Sequence, residues 1–377
     1  MTDEGSASVY AAASLEACAY HILRAMRTDQ DVAEEVARHL IRANLSGHDS
    51  HGIMRIAQYV AQADRDELVP TGRPQIFHET PTALVVDAQR GFGHFAAAFA
   101  LDRVGEKARE YGVATAAIRQ STHVGRLGEF TERCTELGQI IIMTVGMAGP
   151  GVGGMVIHGG RERFFGANVW SIGVPGATRP MVFDGSMANI AVGKVHTARD
   201  EGTMLPPGCL LDRDGEPSVD PAEYYAGGAV VPLGGTVAGH KGYGLALAAA
   251  LLGGLATIGD LQPTLAGASV REGADRKGRI AGIFILAIDP GSYGNADAYR
   301  KMVEDCLDAA KRVPPAKGVA EVMTPGEHSR DLREQRLRDG VHLSKVTRTE
   351  LAAIARRFNV AMPKPLEPDV ARGGAAI

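Results

Sequence analysis

The chain has 377 residues, of which 45% are hydrophobic, and a formal net charge of -4. This length is enough for two medium domains with sizeable cores. The slightly acidic balance and the lack of a Lys/Arg block argue against nucleic acid or an anionic membrane as the main partner, so we expect a small-molecule ligand.

The first part of the chain has helical periodicity. Apolar residues recur at helical spacing, as in Val32, Val36 and Leu40, and predict helices over about residues 15–26 and 29–43.

A cluster of polar groups follows at residues 47–55, which read GHDSHGIMR. If Asp49 caps a helix running to about residue 63, His51 lies in its first turn and Arg55 one turn further on the same face. The positive end of that helix would join Arg55 in attracting a carboxylate, while His51 would exchange a proton with a nearby carbonyl or hydroxyl. The alternative interpretation is that these histidines only pack or form hydrogen bonds.

Short β-rich runs alternate with helical stretches from Pro74 onward, which predicts an α/β fold. Between Gly146 and Gly239 we expect a sheet with irregular connections. The predicted strands are 83–87, 113–118, 140–145, 169–174, 181–183 and 280–288. The predicted helices are near 95–111, 126–137, 243–258, 297–311 and 349–358, the last behind a cap at Thr347.

A GxGxxG pattern follows the third predicted strand, at Gly149, Gly151 and Gly154. A Rossmann fingerprint must open a helix, whereas the next residues, 155–158, are β-like and are followed by another glycine pair. We therefore favour a plain glycine-rich loop.

Three further segments carry candidate functional groups. The turn-like GHKGYG at 239–244 precedes an apolar helix, so its amides and Lys241 could hold a phosphate, or it is only a tight turn. His123 lies between a strand and a helix, where catalytic side chains are often presented, although the neighbouring hydroxyls could simply cap that helix. Asp184 is either a carboxylate at a strand end or an ordinary turn residue.

The four cysteines are far apart and form no CxxC pair, and no secretory signal precedes them. They predict buried thiols in a reducing compartment, with the cytoplasm as the default location. The apolar run 245–258 is interrupted by glycine and shorter than the roughly twenty residues needed to span a bilayer. We expect it to be a buried helix and expect no membrane partner.

Five ordered motifs resemble the malate/L-lactate dehydrogenase family, which also includes ureidoglycolate and L-sulfolactate dehydrogenases, 2,3-diketogulonate reductase and piperideine-2-carboxylate reductases. The resemblance covers nearly the whole chain. The motifs are GHDSHGIMR at 47–55, STHVGRLGEF at 121–130, FGANVWSIGVPG at 165–176, MVFDGSMANIAVGKV at 181–195 and GHKGYGLAL at 239–247.

The resemblance implies transfer of hydride between NAD or NADP and C2 of a 2-oxo or 2-hydroxy acid by a homodimer. It also implies an α/β (α+β) fold in which the NAD(P)-binding domain is not a Rossmann domain and has a largely antiparallel sheet. We assign that domain to 121–289. The other domain, helical and mixed, is assigned to 1–120 joined by 290–377.

The resemblance also implies roles for individual residues. His51 matches the proton donor, His123 a second catalytic histidine, and Asp184 a group that orients an imidazole or bonds the nicotinamide side. Ser50 and Arg55 would bind the substrate, with Arg55 on its carboxylate. The cofactor contacts implied are Asn168, Val182, Phe183, Asp184, Gly185, Ser186, Met187, Ala188, His240, Lys241, Gly326 and Glu327.

Two departures affect the cofactor pocket. The usual GTNP of the family reads GANV at 166–169, and its DMATS-like run reads DGSMA at 184–188, which leaves the choice between NAD and NADP open.

A close alternative function keeps the hydride but uses a cyclic imino acid, piperideine- or pyrroline-2-carboxylate. A remote one is a metal-dependent hydrolase or lyase with His48, Asp49, His51 and His123 as ligands, but no paired motif such as HExxH occurs and we expect no metal.

Overall fold

A computed structural model describes residues 8–258 and 280–367. Its helices are α1 (Ala12–Ala25), α2 (Gln30–Leu45), α3 (Arg55–Asp64), α4 (Gly93–Tyr111), α5 (Gly128–Thr131), α6 (Cys134–Leu137), α7 (Val192–Glu201), α8 (Ala222–Tyr225), α9 (Gly235–Gly254), α10 (Ala296–Lys311), α11 (Glu327–Asp339) and α12 (Lys345–Arg357). Its strands are β1 (Ser8–Tyr10), β2 (Gln75–Glu79), β3 (Ala83–Asp87), β4 (Val113–Arg119), β5 (Ile140–Ala148), β6 (Met155–Val156), β7 (Arg163–Phe165), β8 (Val169–Val174), β9 (Met181–Gly185), β10 (Leu210–Leu211), β11 (Pro217–Ser218), β12 (Ala229–Val230), β13 (Ile280–Ile288) and β14 (Val341–Leu343).

The described chain divides into two compact units. The smaller unit contains residues 8–65 and 328–367, and the larger contains 66–327 without 259–279. Both ends of the chain therefore contribute to the same unit. The boundaries expected from the sequence, at 120 and 290, fall inside the larger unit, because β3, β4 and β13 are neighbours in one sheet there.

The smaller unit is a helical layer with a short two-stranded sheet. Helix α1 packs on α2, and α12 packs on α1 and α3. Strands β1 and β14 pair antiparallel and so join the two chain ends. The amphipathic pattern of α1 and α2 explains this layer, since their apolar faces are fully buried. The buried side chains include Leu15, Ile22, Leu23, Val32, Val36, Leu40, Ile56, Tyr59 and Leu351.

The larger unit is built on a mixed sheet of twelve described strands. Its main order is β11-β10-β12-β6-β7-β5-β13-β4-β3-β2, and β8 pairs with β5 and with β9. Pairing is parallel between β3 and β4 and between β12 and β6, and antiparallel elsewhere. The expectation of a largely antiparallel sheet is confirmed.

Helices cover both faces of the central strands. Helix α4 packs on the face formed by alternate β13 residues such as Ile283 and Ile285. Helix α9 packs against β5 and β13 from the other face. There a β-carbon at Gly146 would lie 2.2 Å from the α9 backbone, so only glycine permits this close approach.

Several predicted elements differ in the structure. The helix expected over 126–137 is two short helices, α5 and α6, and the irregular middle of the chain also contains α7. Helix α12 is capped by Ser344, whose hydroxyl accepts the Thr347 amide at 3.2 Å, rather than by Thr347. The loop 149–154 leads into strand β6 and opens no helix.

None of the described helices combines the length and apolar character needed to span a bilayer.

Candidate functional site

The cluster at 47–55 adopts a turn rather than the start of a helix. Asp49–His51 forms a single 3-10 turn, Gly52 is extended, and α3 begins only at Arg55. The prediction that Asp49 caps a helix containing His51 is therefore wrong. A β-carbon at Gly52 would lie 2.2 Å from the Asn44 side-chain oxygen, so only glycine allows Asn44 to pack this closely against the turn.

Two buried or half-buried side chains hold the turn. The Asn44 amide donates to Asp49 Oδ1 at 2.6 Å, and its oxygen accepts the Ile53 amide at 2.8 Å. Arg336 of α11 pairs with both oxygens of Asp49, at 2.8 and 3.1 Å. Both oxygens of the Asp49 carboxylate therefore take part in bonds that stabilise the turn.

His51 and Arg55 are both tied to Ser50. The Ser50 hydroxyl lies 3.0 Å from His51 Nδ1, and Arg55 Nε donates to the Ser50 carbonyl at 2.6 Å. Arg55 Nη1 donates to Gln58 Oε1 at 2.6 Å. Both of these acceptors are neutral, and the part of the chain that the structure describes provides no ion pair for Arg55. Burial lowers the pKa of this guanidinium, with Tyr59 opposing the shift, but an arginine remains charged at neutral pH.

His123 lies in the larger unit, in the loop between β4 and α5. Its ring meets the buried ring of His94 edge to face, with centroids 5.8 Å apart. The neighbouring Thr122 hydroxyl donates to the Gly91 carbonyl at 2.9 Å and accepts the Gly93 amide at 3.3 Å. Thr122 thus joins this loop to the start of α4 rather than capping α5.

Asp184 is the next-to-last residue of β9 and is almost fully buried. Its Oδ2 accepts the Gly128 amide at 2.8 Å and lies 3.4 Å from Nε of Arg126. Arg126 also pairs with Glu132 at 2.8 Å. Burial raises the pKa of Asp184 to about 6, although the charge of Arg126 and the Gly128 amide oppose that shift. The carboxyl therefore titrates close to neutral pH.

The segment 182–188 is fixed through its backbone to two other predicted cofactor segments. The Val182 amide donates to the Pro325 carbonyl at 3.1 Å, and the Met187 carbonyl accepts the Leu233 amide at 2.8 Å, just before α9 begins. The segment keeps an exposed face, since the Phe183 side chain is 39% exposed. An exposed aromatic ring beside fixed backbone suits an extended ligand with flat rings.

His240 and Lys241 are exposed and lie in the second turn of α9. Because α9 begins at Gly235, the amides of 239–244 are inside the helix, and the expected anion site made by those amides is not present. The side chains remain available. The structure gives Lys241 no ion pair among the residues that it describes, so its charge can face a phosphate.

The Glu327 side chain closes a turn by bonding to Thr324, three residues earlier. Its carboxylate accepts the amide and the hydroxyl of Thr324 at 2.8 and 2.9 Å and pairs with Lys311. Burial alone would raise the pKa of Glu327, but these hydrogen bonds outweigh burial and lower that pKa to about 2. Because its oxygens are used in this way, Glu327 would support a bound cofactor indirectly, by holding the loop that contains Pro325 and Gly326.

Asn168 is buried and has a left-handed backbone with a φ of 44°. Its Oδ1 accepts the Met147 amide at 3.1 Å, and its Nδ2 donates to the Ala246 carbonyl at 2.7 Å. These bonds join β5 to α9. The geometry therefore gives Asn168 a packing role, and its contact with a cofactor stays a prediction.

Sequence reasoning did not select four residues that build the site. Asn44 and Arg336 hold the His51 turn, and Arg126 and Glu132 surround Asp184. Only Arg126 carried a signal, as the one arginine inside the motif at 121–130. As for metals, no three His, Cys, Asp or Glu side chains form a ligand group within 8–258 and 280–367.

Comparison with protein-family models matches residues 10–352 to the model described as Malate/L-lactate dehydrogenase. Among curated proteins, hydroxycarboxylate dehydrogenase B of Escherichia coli O157:H7 is 30% identical over 344 residues, which cover 90% of this chain and 91% of that protein. Delta(1)-pyrroline-2-carboxylate reductase of Ancylobacter novellus is 30% identical over 330 residues, 87% of this chain and 92% of that protein.

Solved structures agree with the sequence comparisons. The crystal structure of malate dehydrogenase from Entamoeba histolytica superposes with a TM-score of 0.86 at 26% identity, covering 95% of this chain and 100% of that chain.

Proposed function

The chain belongs to the malate/L-lactate dehydrogenase family, and on that premise we propose that it is an NAD(P)-dependent oxidoreductase acting at C2 of a 2-oxo or 2-hydroxy acid. The observation that carries this proposal is the turn in which Ser50 contacts both His51 and Arg55. One short stretch of chain thereby presents an imidazole beside a guanidinium whose partners among the described residues are neutral.

The smaller unit would supply the carboxylate clamp and the proton. Arg55 binds the substrate carboxylate through charge-assisted hydrogen bonds, and Ser50 adds a hydroxyl at the same place. When Nδ1 of the His51 imidazolium donates to the Ser50 hydroxyl, Nε2 carries the second proton. Nε2 can then protonate the alkoxide that develops on reduction. The neutral ring that remains keeps its proton on Nδ1, so its Nε2 can remove the hydroxyl proton in the reverse direction.

The larger unit would hold the dinucleotide. The candidate contacts are the exposed face of 182–188, the side chains of His240 and Lys241, and the loop at Gly326 and Glu327. Lys241 would face a phosphate, and Asp184 would bond the nicotinamide side or orient His123. When bound, the nicotinamide of NAD or NADP supplies or accepts the hydride at substrate C2. We propose that this domain is not a Rossmann domain, which agrees with the loop 149–154 leading into a strand.

A cyclic imino acid is the second candidate substrate class. Pyrroline-2-carboxylate carries the same carboxylate next to the reducible carbon, so Arg55 and His51 would serve unchanged. The observation that favours this alternative is the relative from Ancylobacter novellus, which is a pyrroline-2-carboxylate reductase by name.

We further propose a cytoplasmic homodimer. The location is supported by the four free cysteines of the described chain, of which Cys18, Cys134 and Cys209 are buried. The homodimer is a proposal from the family resemblance, and gel filtration with light scattering would test it.

The experiment that tests this function follows NADH and NADPH oxidation with a panel of oxaloacetate, pyruvate, other 2-oxo acids and cyclic imines, with and without a chelator. We expect turnover of at least one carboxylate substrate that persists in chelator. No oxidation of either coenzyme with any acid or imine would contradict the proposal. Activity that depends on a stoichiometric metal ion would favour the hydrolase or lyase alternative.

A further inference from the structure

Arg126 is a buried cation held between two carboxylates from different parts of the larger unit. Its side chain is 2% exposed, against 10% for Asp184 and 13% for Glu132. Nη2 lies 2.8 Å from Glu132 and Nε lies 3.4 Å from Asp184. A burial this complete is expensive for a charged side chain unless the charge is paired.

The space around this cluster is filled. A β-carbon at Gly128 would lie 2.6 Å from Nη2 of Arg126 and 2.7 Å from Oδ2 of Asp184. The same Gly128 donates its amide to Asp184. Nearby, Thr131 and Ser171 hydroxyls lie 2.7 Å apart, and Ser171 donates to the Phe183 carbonyl at 3.0 Å. Helix α5 and strand β9 are thus fixed to each other by polar contacts.

The Arg126 guanidinium faces two carboxylates, Asp184 and Glu132. The groups that act on Asp184 are Arg126, Glu132 and the Gly128 amide, and the facing strand β8 contributes the neutral Ser171. Of these, only Arg126 is a cation.

We infer that Arg126 is a positioning residue that keeps Asp184 ionised and holds the His123 loop against the segment 182–188. This inference rests on the proposed function, because Asp184 and that segment are the proposed dinucleotide contacts. Arg126 itself would touch neither substrate nor dinucleotide. Its effect is exerted through the charge and place of the Asp184 carboxylate.

A thermal titration tests the inference without any ligand. Tm is measured between pH 4 and 9 for wild type, Arg126→Gln and Arg126→Lys, each with and without Asp184→Asn. At each pH the difference in Tm caused by Asp184→Asn is taken. When Arg126 is present, this difference should change with pH, with a midpoint near pH 6. In Arg126→Gln that midpoint should move up by roughly 1–3 pH units, the range expected for loss of an opposite charge at this distance. Arg126→Lys retains the positive charge, so its midpoint should lie between those of wild type and Arg126→Gln.

A kinetic measurement adds a readout of function. With the substrate found in the panel, Arg126→Gln should lower kcat/KM about tenfold at pH 7 and recover toward pH 9, because fewer Asp184 groups are ionised at the lower pH. Arg133→Gln is the matched control, since Arg133 pairs with Asp102 at 2.6 Å and leaves this cluster intact.

The outcomes separate the two proposals. An unchanged midpoint in Arg126→Gln, or a drop in Tm that is equal at every pH, would mean that Arg126 only packs and would overturn the inference. If the wild type turns over no acid or imine, the proposed function fails, and the thermal titration still decides the role of Arg126.

Discussion

Arg336 donates hydrogen bonds to both carboxylate oxygens of Asp49, at 2.8 and 3.1 Å. These bonds attach the turn that contains His51 to α11, a helix from the other end of the chain. The same guanidinium also bonds the Asn44 carbonyl. Asp49 is therefore a support for the candidate site rather than one of its reacting groups.

Removing this support should lower both stability and turnover. Arg336→Met is expected to cost roughly 1–3 kcal/mol, because the half-exposed Asp49 loses a charged partner while the turn loosens. A displacement of about 1 Å at His51 would reduce kcat by up to 10²-fold. Thermal melts and steady-state kinetics measure the two effects.

The control for Arg336→Met is Arg357→Met. Arg357 also forms a bidentate pair, with Asp64 at 2.7 Å, but both side chains are about half exposed. Exposed pairs typically contribute 0–1 kcal/mol, so the control should change little. Equal effects of the two substitutions would argue against a special role for the Asp49 pair.

Arg55→Leu should weaken binding of the acid substrate. A lost charge-assisted hydrogen bond is worth roughly 1.5–3 kcal/mol, which corresponds to a KM about 10- to 150-fold higher. Arg55→Lys keeps the charge without the planar fork and should fall between wild type and Arg55→Leu. The affinity for NADH or NADPH, measured by fluorescence, should stay the same. An unchanged KM would remove Arg55 from the clamp role.

The change in Tm caused by Asp184→Asn, relative to wild type, should be more favourable at alkaline pH than at acid pH. The pKa of Asp184 rises on folding from 3.8 to about 6, so its favourable contribution is complete below pH 3.8 and is lost as pH rises through 6. At about 1.36 kcal/mol per pKa unit the whole difference is roughly 3 kcal/mol, of which about half falls between pH 5 and pH 8. The measurement compares Tm at pH 5 and pH 8.

Asp200→Asn is the control for that comparison, because Asp200 on α7 is 66% exposed. Its effect on Tm should be the same at both pH values. An equally flat response of Asp184→Asn would contradict a carboxyl that titrates near pH 6.

Glu327→Gln should loosen the turn that holds β9. The pKa of Glu327 falls on folding from 4.5 to about 2, so its contribution is present above pH 4.5 and is lost as pH falls through 2. The loss in Tm caused by Glu327→Gln should therefore be largest at pH 7 and clearly smaller near pH 3. Weaker dinucleotide binding should accompany it, since Pro325 in this turn accepts the Val182 amide.

The matched control is Glu321→Gln, which removes the other carboxylate near Lys311. That carboxylate is 63% exposed and 3.4 Å from the ammonium. We expect almost no change in Tm. A similar loss in the two variants would assign the effect to Lys311 rather than to the turn.

The elements with regular apolar patterns were predictable from the sequence. The run Ile280–Ile288 is apolar on both faces because α4 and α9 cover both sides of β13, and it was predicted as a strand. Helix α7 was missed because only Val195 and Ala198 are buried along it, which leaves almost no apolar stripe.

Long-range contacts explain what the sequence could not show. The turn at His51 depends on Arg336, 287 positions away from Asp49, and on Asn44 occupying the space beside Gly52. Local spacing predicted a helix there, and tertiary packing produced a turn. The residues named from the motifs did include His51, Arg55 and Asp184, because a cluster of chemical groups is visible without knowledge of its geometry.

The central claim is that His51 donates the proton, and single substitutions at this position test it most directly. For His51→Ala and His51→Asn, kcat is measured with the panel substrate, and NADH or NADPH affinity is measured by fluorescence quenching of Trp170, the one tryptophan of the chain. Loss of a general acid predicts a kcat lower by roughly 10²- to 10⁴-fold with nearly unchanged dinucleotide affinity. Turnover within about twofold of wild type would contradict the account.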